Sequence, residues 1–343
     1  MTRRTFALIL IVFCGALVAL ALPGHREPRA PGDVAHLNVT IQEWPVPSKG
    51  GHPHDPAVGN DGSLWFTEQM VNKLGRLDPK TGAIQEFPLP TDKNSGPHGL
   101  VSDKDGNIWF TANFGGYIGK LDPRTGKVTQ HQMPLEKADD PHTAAFDAQG
   151  ILWFTVQGGN MVGRLDPHTG KIELKEVPTE SALPYGIQIN SKGVPIFCEL
   201  GTHKMGSIDP KTLAIKEYEL PGEVRPRRLA IAADDTVYFT DFKSGNLGAL
   251  NTTTGTVKLF PSPGGAESNP YGIAITPDGM VWYSESGVHP NTIIQFNPKT
   301  QSFARANIPS GGGVVRNMAA TADGRVYIAC SGVDKVGSVS TVK

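Results

Sequence analysis

Cysteine is scarce in this chain of 343 residues: it has three, and beyond the first 36 residues only Cys198 and Cys330 remain. A disulfide framework of the kind that staples small secreted domains is therefore excluded. The two cysteines fall in the fourth and seventh of seven repeated segments, which are not neighbours, so both are expected as buried small hydrophobes without a bridge. Excess basic charge is also missing. Lys and Arg number 32 against 33 Asp and Glu, for a net charge of −1. With no basic stripe or stacking array, nucleic acid is not the expected partner. The short cluster Arg225, Arg227 and Arg228 is expected to be a solvated rim. Gly and Pro, by contrast, are abundant at 40 and 28, as a chain with many turns requires, and 38% hydrophobic residues suffice for a large all-β core.

The chain repeats. Trp65, Trp109, Trp153, Ile196, Tyr238, Trp282 and Tyr327 stand in the same local context at intervals of 42 to 45 residues. A period of this length, built from short apolar runs with Gly, Pro and Asp punctuation, predicts a β-propeller of seven four-stranded blades. The first strand of each copy follows a proline, as in Pro97-His98-Gly99-Leu100, except at Val315-Arg316. A tight turn comes next, marked by Asp61-Gly62, Asp105-Gly106, Asp278-Gly279 and Asp323-Gly324. The second strand, as in Leu64-Trp65-Phe66-Thr67-Glu68, is apolar enough to be covered on both faces. A third strand carries a glycine (Gly75, Gly119, Gly163, Gly206, Gly248), and a fourth alternates polar and apolar residues with prolines that only an outer edge tolerates.

Neither end of the chain coincides with a blade boundary. Residues 41–47 form an outer strand with no blade before them, and the last copy stops after its third strand at residues 336–339. The N-terminal strand is therefore expected to complete the seventh blade, closing the ring and removing two open edges. One propeller domain over residues 37–343 follows, with a monomer as the expected state.

The first 21 residues read as an export signal: Arg3 and Arg4, then an apolar run from Phe6 to Leu22, with Ala19-Leu20-Ala21 as a small-x-small cleavage site. Thr2-Arg3-Arg4-Thr5-Phe6 resembles a twin-arginine signal. A periplasmic or secreted protein is expected. An uncleaved membrane anchor is the alternative, because this run is at the lower limit for a spanning helix. Residues 22–36, rich in Pro and Arg, read as a flexible linker.

Antiparallel pairing places the start of strand one beside the end of strand two, so two sets of residues share one mouth of the central channel. The post-proline set is His54, His98, His142, Tyr185, Arg227, Tyr271 and Arg316. The second set, three beyond the Trp position, contains Glu68, Glu199, Asp241 and Glu285. Three histidines at one position of consecutive blades point to function, since titratable groups seldom converge without purpose. The remaining histidines, at 25, 36, 52, 131, 168, 203 and 289, read as structural or solvated.

At these repeats the chain resembles the virginiamycin B lyase family. The motifs are Pro97-His98-Gly99-Leu100, Asp105-Gly106-Asn107-Ile108-Trp109-Phe110-Thr111, Asn72-Lys73-Leu74-Gly75-Arg76-Leu77 and Ile84-Gln85-Glu86-Phe87-Pro88-Leu89-Pro90, and the resemblance runs from Leu37 to Val342. It implies a seven-bladed propeller that opens a cyclic depsipeptide or similar small cyclic ester by elimination. In that chemistry Mg2+ (Ca2+ is the alternative) polarises the ester while a histidine takes the proton α to its carbonyl. The family's key histidines follow the proline in two consecutive blades, and the later blade adds a Glu four beyond its Trp. Carried over, His54 and His98 are the catalytic pair, with His98 as base; His98 and His142 form a second possible pair. The glutamate does not carry over: Asn113 stands four beyond Trp109 and Gln157 four beyond Trp153. Glu68 and Asn113 are then the candidate metal ligands, and His142, Tyr185, Arg227, Tyr271 and Arg316 the candidate substrate-binding residues. Two alternatives stand beside this: a non-catalytic ligand- or protein-binding propeller, and a gluconolactonase-like lactone hydrolase with a metal held by Glu68, Glu199, Asp241 and Glu285.

Overall fold

The computed structural model describes residues 34–90 and 93–342; the expected export signal and nearly all of the expected linker lie outside them. The described chain forms seven antiparallel sheets, six of four strands and one of five. In the first blade these strands are Pro53–Val58, Leu64–Glu68, Lys73–Leu77 and Ile84–Pro88, each paired with the next. The first strands of the other blades are Pro97–Ser102, Pro141–Phe146, Pro184–Ile189, Pro226–Ile231, Pro270–Ile275 and Val315–Ala320. Each touches the first strand of the next blade, and Val315–Ala320 returns to Pro53–Val58, so a ring closes around a central channel.

Closure occurs where the unpaired sequence ends required it. Val39–Pro45 pairs antiparallel with Lys335–Thr341, in register from Val39 opposite Thr341 to Pro45 opposite Lys335. Two residues of the expected linker also join a sheet. Ala35 and His36 run parallel to the outer strand Ser302–Asn307 as a fifth strand of blade six. An outer strand has unpaired backbone groups on its free side, and these two residues satisfy part of that edge.

The repeated residues explain why blades form and pack. In five blades the phenylalanine of strand two lies opposite the glycine of strand three: Phe66 and Gly75, Phe110 and Gly119, Phe154 and Gly163, Phe197 and Gly206, Phe239 and Gly248. A Cβ on any of these glycines would fall within 2.0–2.4 Å of the ring. The Trp-position residues face the neighbouring blade and are buried. Trp65, for example, shares a cluster with Leu100 and Phe110 of blade two. Each such aromatic stabilises the ring by roughly 2–3 kcal/mol relative to exposure. Cys198 and Cys330 are buried and free.

Candidate functional site

Each first strand has a register shift right after its opening residue, between Pro53 and Pro56 in blade one and at the same place in the other six. Such a bulge re-aims the side chains within it. A hydroxyl on strand two fixes it. Thr67 Oγ1 accepts from the amide of Asp55 and donates to the carbonyl of His98 in the next blade, at 3.0 Å each. Thr111, Thr155, Thr240 and Ser284 repeat this double contact. The bulge thus puts the post-proline side chain at the channel mouth and the following one deeper inside.

Around the mouth, six of the seven post-proline side chains follow one another through contacts, and the seventh, Arg316, through its charge. The rings of His54 and His98, His98 and His142, and His142 and Tyr185 have centroids 3.9, 3.8 and 4.0 Å apart. Tyr185 and Tyr271 join hydroxyls at 2.5 Å. Between them stands Arg227, its Cζ 3.7 Å from the Tyr271 ring centroid and 4.1 Å from that of Phe242. Arg316 completes the sequence and acts electrostatically on His54.

The three histidines are at most 3% exposed. Their tilted rings pack closely against one another and leave little surface to water. Burial, more than any other influence, holds each imidazole well below the ordinary histidine value; next come Arg316 for His54, His54 for His98 and His98 for His142. His54 Nδ1 bonds Asp55 Oδ1 at 2.9 Å and His98 Nδ1 bonds the carbonyl of His142 at 3.2 Å. Both partners can only accept, so Nδ1 carries the proton and Nε2 a lone pair in each neutral ring. His142 Nδ1 meets Thr143 Oγ1 at 2.9 Å.

Beneath the mouth lies a second layer that the repeat pattern did not reveal. Asp55 takes Arg228 Nη2 at 2.7 Å and Asn317 Nδ2 at 3.1 Å, while Arg228 Nη1 donates to Thr143 Oγ1 at 3.1 Å. Arg228 was expected on a solvated rim and is instead buried, because the bulge turns it inward while its neighbour Arg227 stays at the mouth. Beyond this layer opens a cavity of about 480 Å³ lined mainly by apolar side chains, among them Leu100, Ile187, Leu229 and Ile273. Gly99, Gly186 and Gly272 occupy the remaining positions of the layer, where a Cβ would press on the next blade's backbone.

The carboxylates are not brought to the histidines. Glu68 is fully buried, hydrogen-bonded to nothing, beside Gly51 and under the influence of Glu86, Lys73 and Asp334. Asn113 donates to the carbonyls of Asp140 and Pro141 at 3.4 and 3.3 Å. Asp241 holds the amides of Arg225 and Ser244, Glu285 holds Ser262, Gly264 and Thr292, and Glu199 takes Thr202. Asp241, Glu285 and Glu199 thus bind local loop residues, and together with Glu68 they do not form a common metal site among the described residues. Among the described residues, the one group of three His, Cys, Asp or Glu donors close enough to share an ion is His54, Asp55 and His98. It does not suit Mg2+, which demands oxygen ligands. Both Asp55 oxygens are already engaged, and the Arg228 guanidinium at 2.7 Å supplies the positive charge a cation would bring.

Residues 31–261 and 197–342 match the model of the virginiamycin B lyase family. Among solved structures, streptogramin B lyase superposes with a TM-score of 0.81 at 24% identity, over 89% of this chain and 98% of that one. A catalytically inactive virginiamycin B lyase of Staphylococcus aureus, solved with quinupristin, gives 0.80 at 23% identity over 89% and 100%. Hydrazine synthase of Kuenenia stuttgartiensis gives 0.72 at 15% identity over 87% and 97%. At these identities the likeness establishes the fold, a ring that carries different chemistries.

Proposed function

Because the chain belongs to the virginiamycin B lyase family, we propose that it opens a cyclic ester or depsipeptide by elimination at its histidine-lined channel mouth. The observation that supports this most is the pair His54 and His98, whose Nδ1 atoms are tied to Asp55 and to a carbonyl, leaving Nε2 of each as an unpartnered lone pair. His98 is the base and takes the proton α to a carbonyl. The electrons of that C–H bond form a carbon–carbon double bond, the β C–O bond breaks, and the carboxylate departs. His54, held by Asp55, positions the reacting carbon beside His98, and His142, Tyr185, Arg227, Tyr271 and Arg316 line the place the substrate occupies. Since the donors here do not suit Mg2+, no step is assigned to a metal.

A second reading, a propeller that binds a ligand without turning it over, is favoured by the depressed basicity of all three imidazoles. Lactone hydrolysis at a central metal has less support, because Glu68, Glu199, Asp241 and Glu285 do not converge. The proposed setting is the periplasm or the exterior, on the strength of the N-terminal apolar run, with membrane retention if the segment is uncleaved. The catalytic reading is tested by following ring opening of a streptogramin B and a panel of lactones with the parent protein and with His98→Ala. Loss of turnover in the variant supports it. Inert substrates with the parent protein favour the binding reading.

A further inference from the structure

We propose that Arg227 and Arg316 form a receptor for an oxyanion, a carboxylate or phosphoryl group carried by the ligand. The inference deepens the proposed function, from which it takes the mouth as the ligand's place. Arg76, Arg124, Arg164, Arg228 and Arg325 each meet a carboxylate within 3.2 Å. The two mouth arginines meet none. Arg316 has no hydrogen-bond or ion-pair partner among the described residues, and its charge acts on His54. Arg227 has one long contact, Nη2 to Tyr185 Oη at 3.4 Å, and its Nε is buried without a partner.

Among the described residues no carboxylate pairs with either. Asp55 already accepts from Arg228, Asn317 and His54, and Asp241 and Glu285 are bonded to loop residues. Both guanidiniums are half-buried, and an anion that accepts from the fork of such a group, which lacks a counter-charge, forms a strong charge-assisted pair with it. The mouth offers one further donor. Tyr185 and Tyr271 share a single hydroxyl–hydroxyl bond, so one of their two hydrogens is free for a ligand oxygen. The rings of Phe242 and Tyr271 lie against Arg227 and favour an organic anion with a flat apolar part.

Calorimetric titration with benzoate, its neutral isostere benzamide, and inorganic phosphate tests the inference. Benzoate is expected to bind saturably, one per chain, and benzamide at least about tenfold more weakly. Arg316→Gln should weaken benzoate by about tenfold while the protein melts as the parent does. Arg227→Lys, which keeps the charge but loses the fork, should weaken it less than Arg316→Gln. Competition by phosphate assigns the site to oxyanions generally, and its failure to compete assigns it to carboxylates; either supports the inference. Benzamide binding as tightly as benzoate, no saturable benzoate binding, or an indifferent Arg316→Gln would each overturn it. Turnover is not read, so a protein that binds benzoate yet opens no ester loses only the catalytic reading.

Discussion

Asp55 of the first blade and Arg228 of the fifth meet across the channel, Oδ1 to Nη2 at 2.7 Å, with both side chains at most 3% exposed. The same carboxylate holds His54 Nδ1 and Asn317 Nδ2, so one acidic residue ties together the mouth, the layer beneath it and the last blade. A buried ion pair contributes little net stability against an apolar replacement, but removing one partner strands the other.

Asp55→Ala is therefore expected to cost about 3–5 kcal/mol, as measured by urea unfolding. Combining Asp55→Leu with Arg228→Met should recover most of that loss. A single variant costing under about 1 kcal/mol would show that the charge finds water or another partner.

Glu68 gives the protein an unusual pH dependence. Burial, followed by the nearby Glu86, pushes its carboxyl from 4.5 up to about 8. Between those values the native state holds a proton that the unfolded chain has released, so stability falls as pH rises through the window. Glu68→Gln should remove this loss, gaining on the parent progressively from pH 4.5 to 8 and by a few kcal/mol at most. Urea unfolding at several pH values checks it, and a constant difference across the window would contradict it.

Deleting the strand Val39–Pro45 should open the ring, because it supplies the outer edge of the seventh blade. The expected cost is several kcal/mol, with the freed edge of Lys335–Thr341 promoting association. Thermal melting with light scattering reads both effects. A truncated protein that melts as a monomer at the parent temperature would contradict the role of this strand.

The propeller was legible because its repeat is geometric. The Trp position, the Phe opposite Gly and the Pro before strand one recur in register, and ring closure follows from the unpaired ends. The mouth was legible for the same reason: His54, His98, His142 and Tyr185 share one place in the repeat and stack in chain order. Asp55 and Arg228 escaped because their partnership spans the channel between residues 173 apart in sequence. Their only trace is the position after the histidine, which reads Asp55, Gly99, Thr143, Gly186, Arg228, Gly272 and Asn317, glycine alternating with polar groups. Glu68 was placed correctly beside Pro53. Strand pairing fixes a residue's height along the channel and not where its side chain points, and Glu68 turns toward Glu86 and Asp334.

Removal of metal should leave the site intact. The guanidinium of Arg228 already neutralises Asp55, Glu68 is buried away from the histidines and Asn113 is bonded to Asp140 and Pro141, so exhaustive chelation is expected to change neither the melting temperature nor any ring-opening rate. A chelated protein whose activity returns on adding Mg2+ or Ca2+ would contradict this.

The oxygen balance of ring opening tests the account most directly. Elimination by an imidazole base breaks the ester without water, whereas hydrolysis inserts one solvent oxygen. Ring opening of a streptogramin B or another cyclic ester in water enriched in 18O, followed by mass spectrometry, separates the two. The account predicts a dehydrated residue, a free carboxylate without 18O, and a rate about 100-fold or more lower in His98→Ala. A product carrying one 18O, or ring opening at the parent rate in His98→Ala, would contradict it.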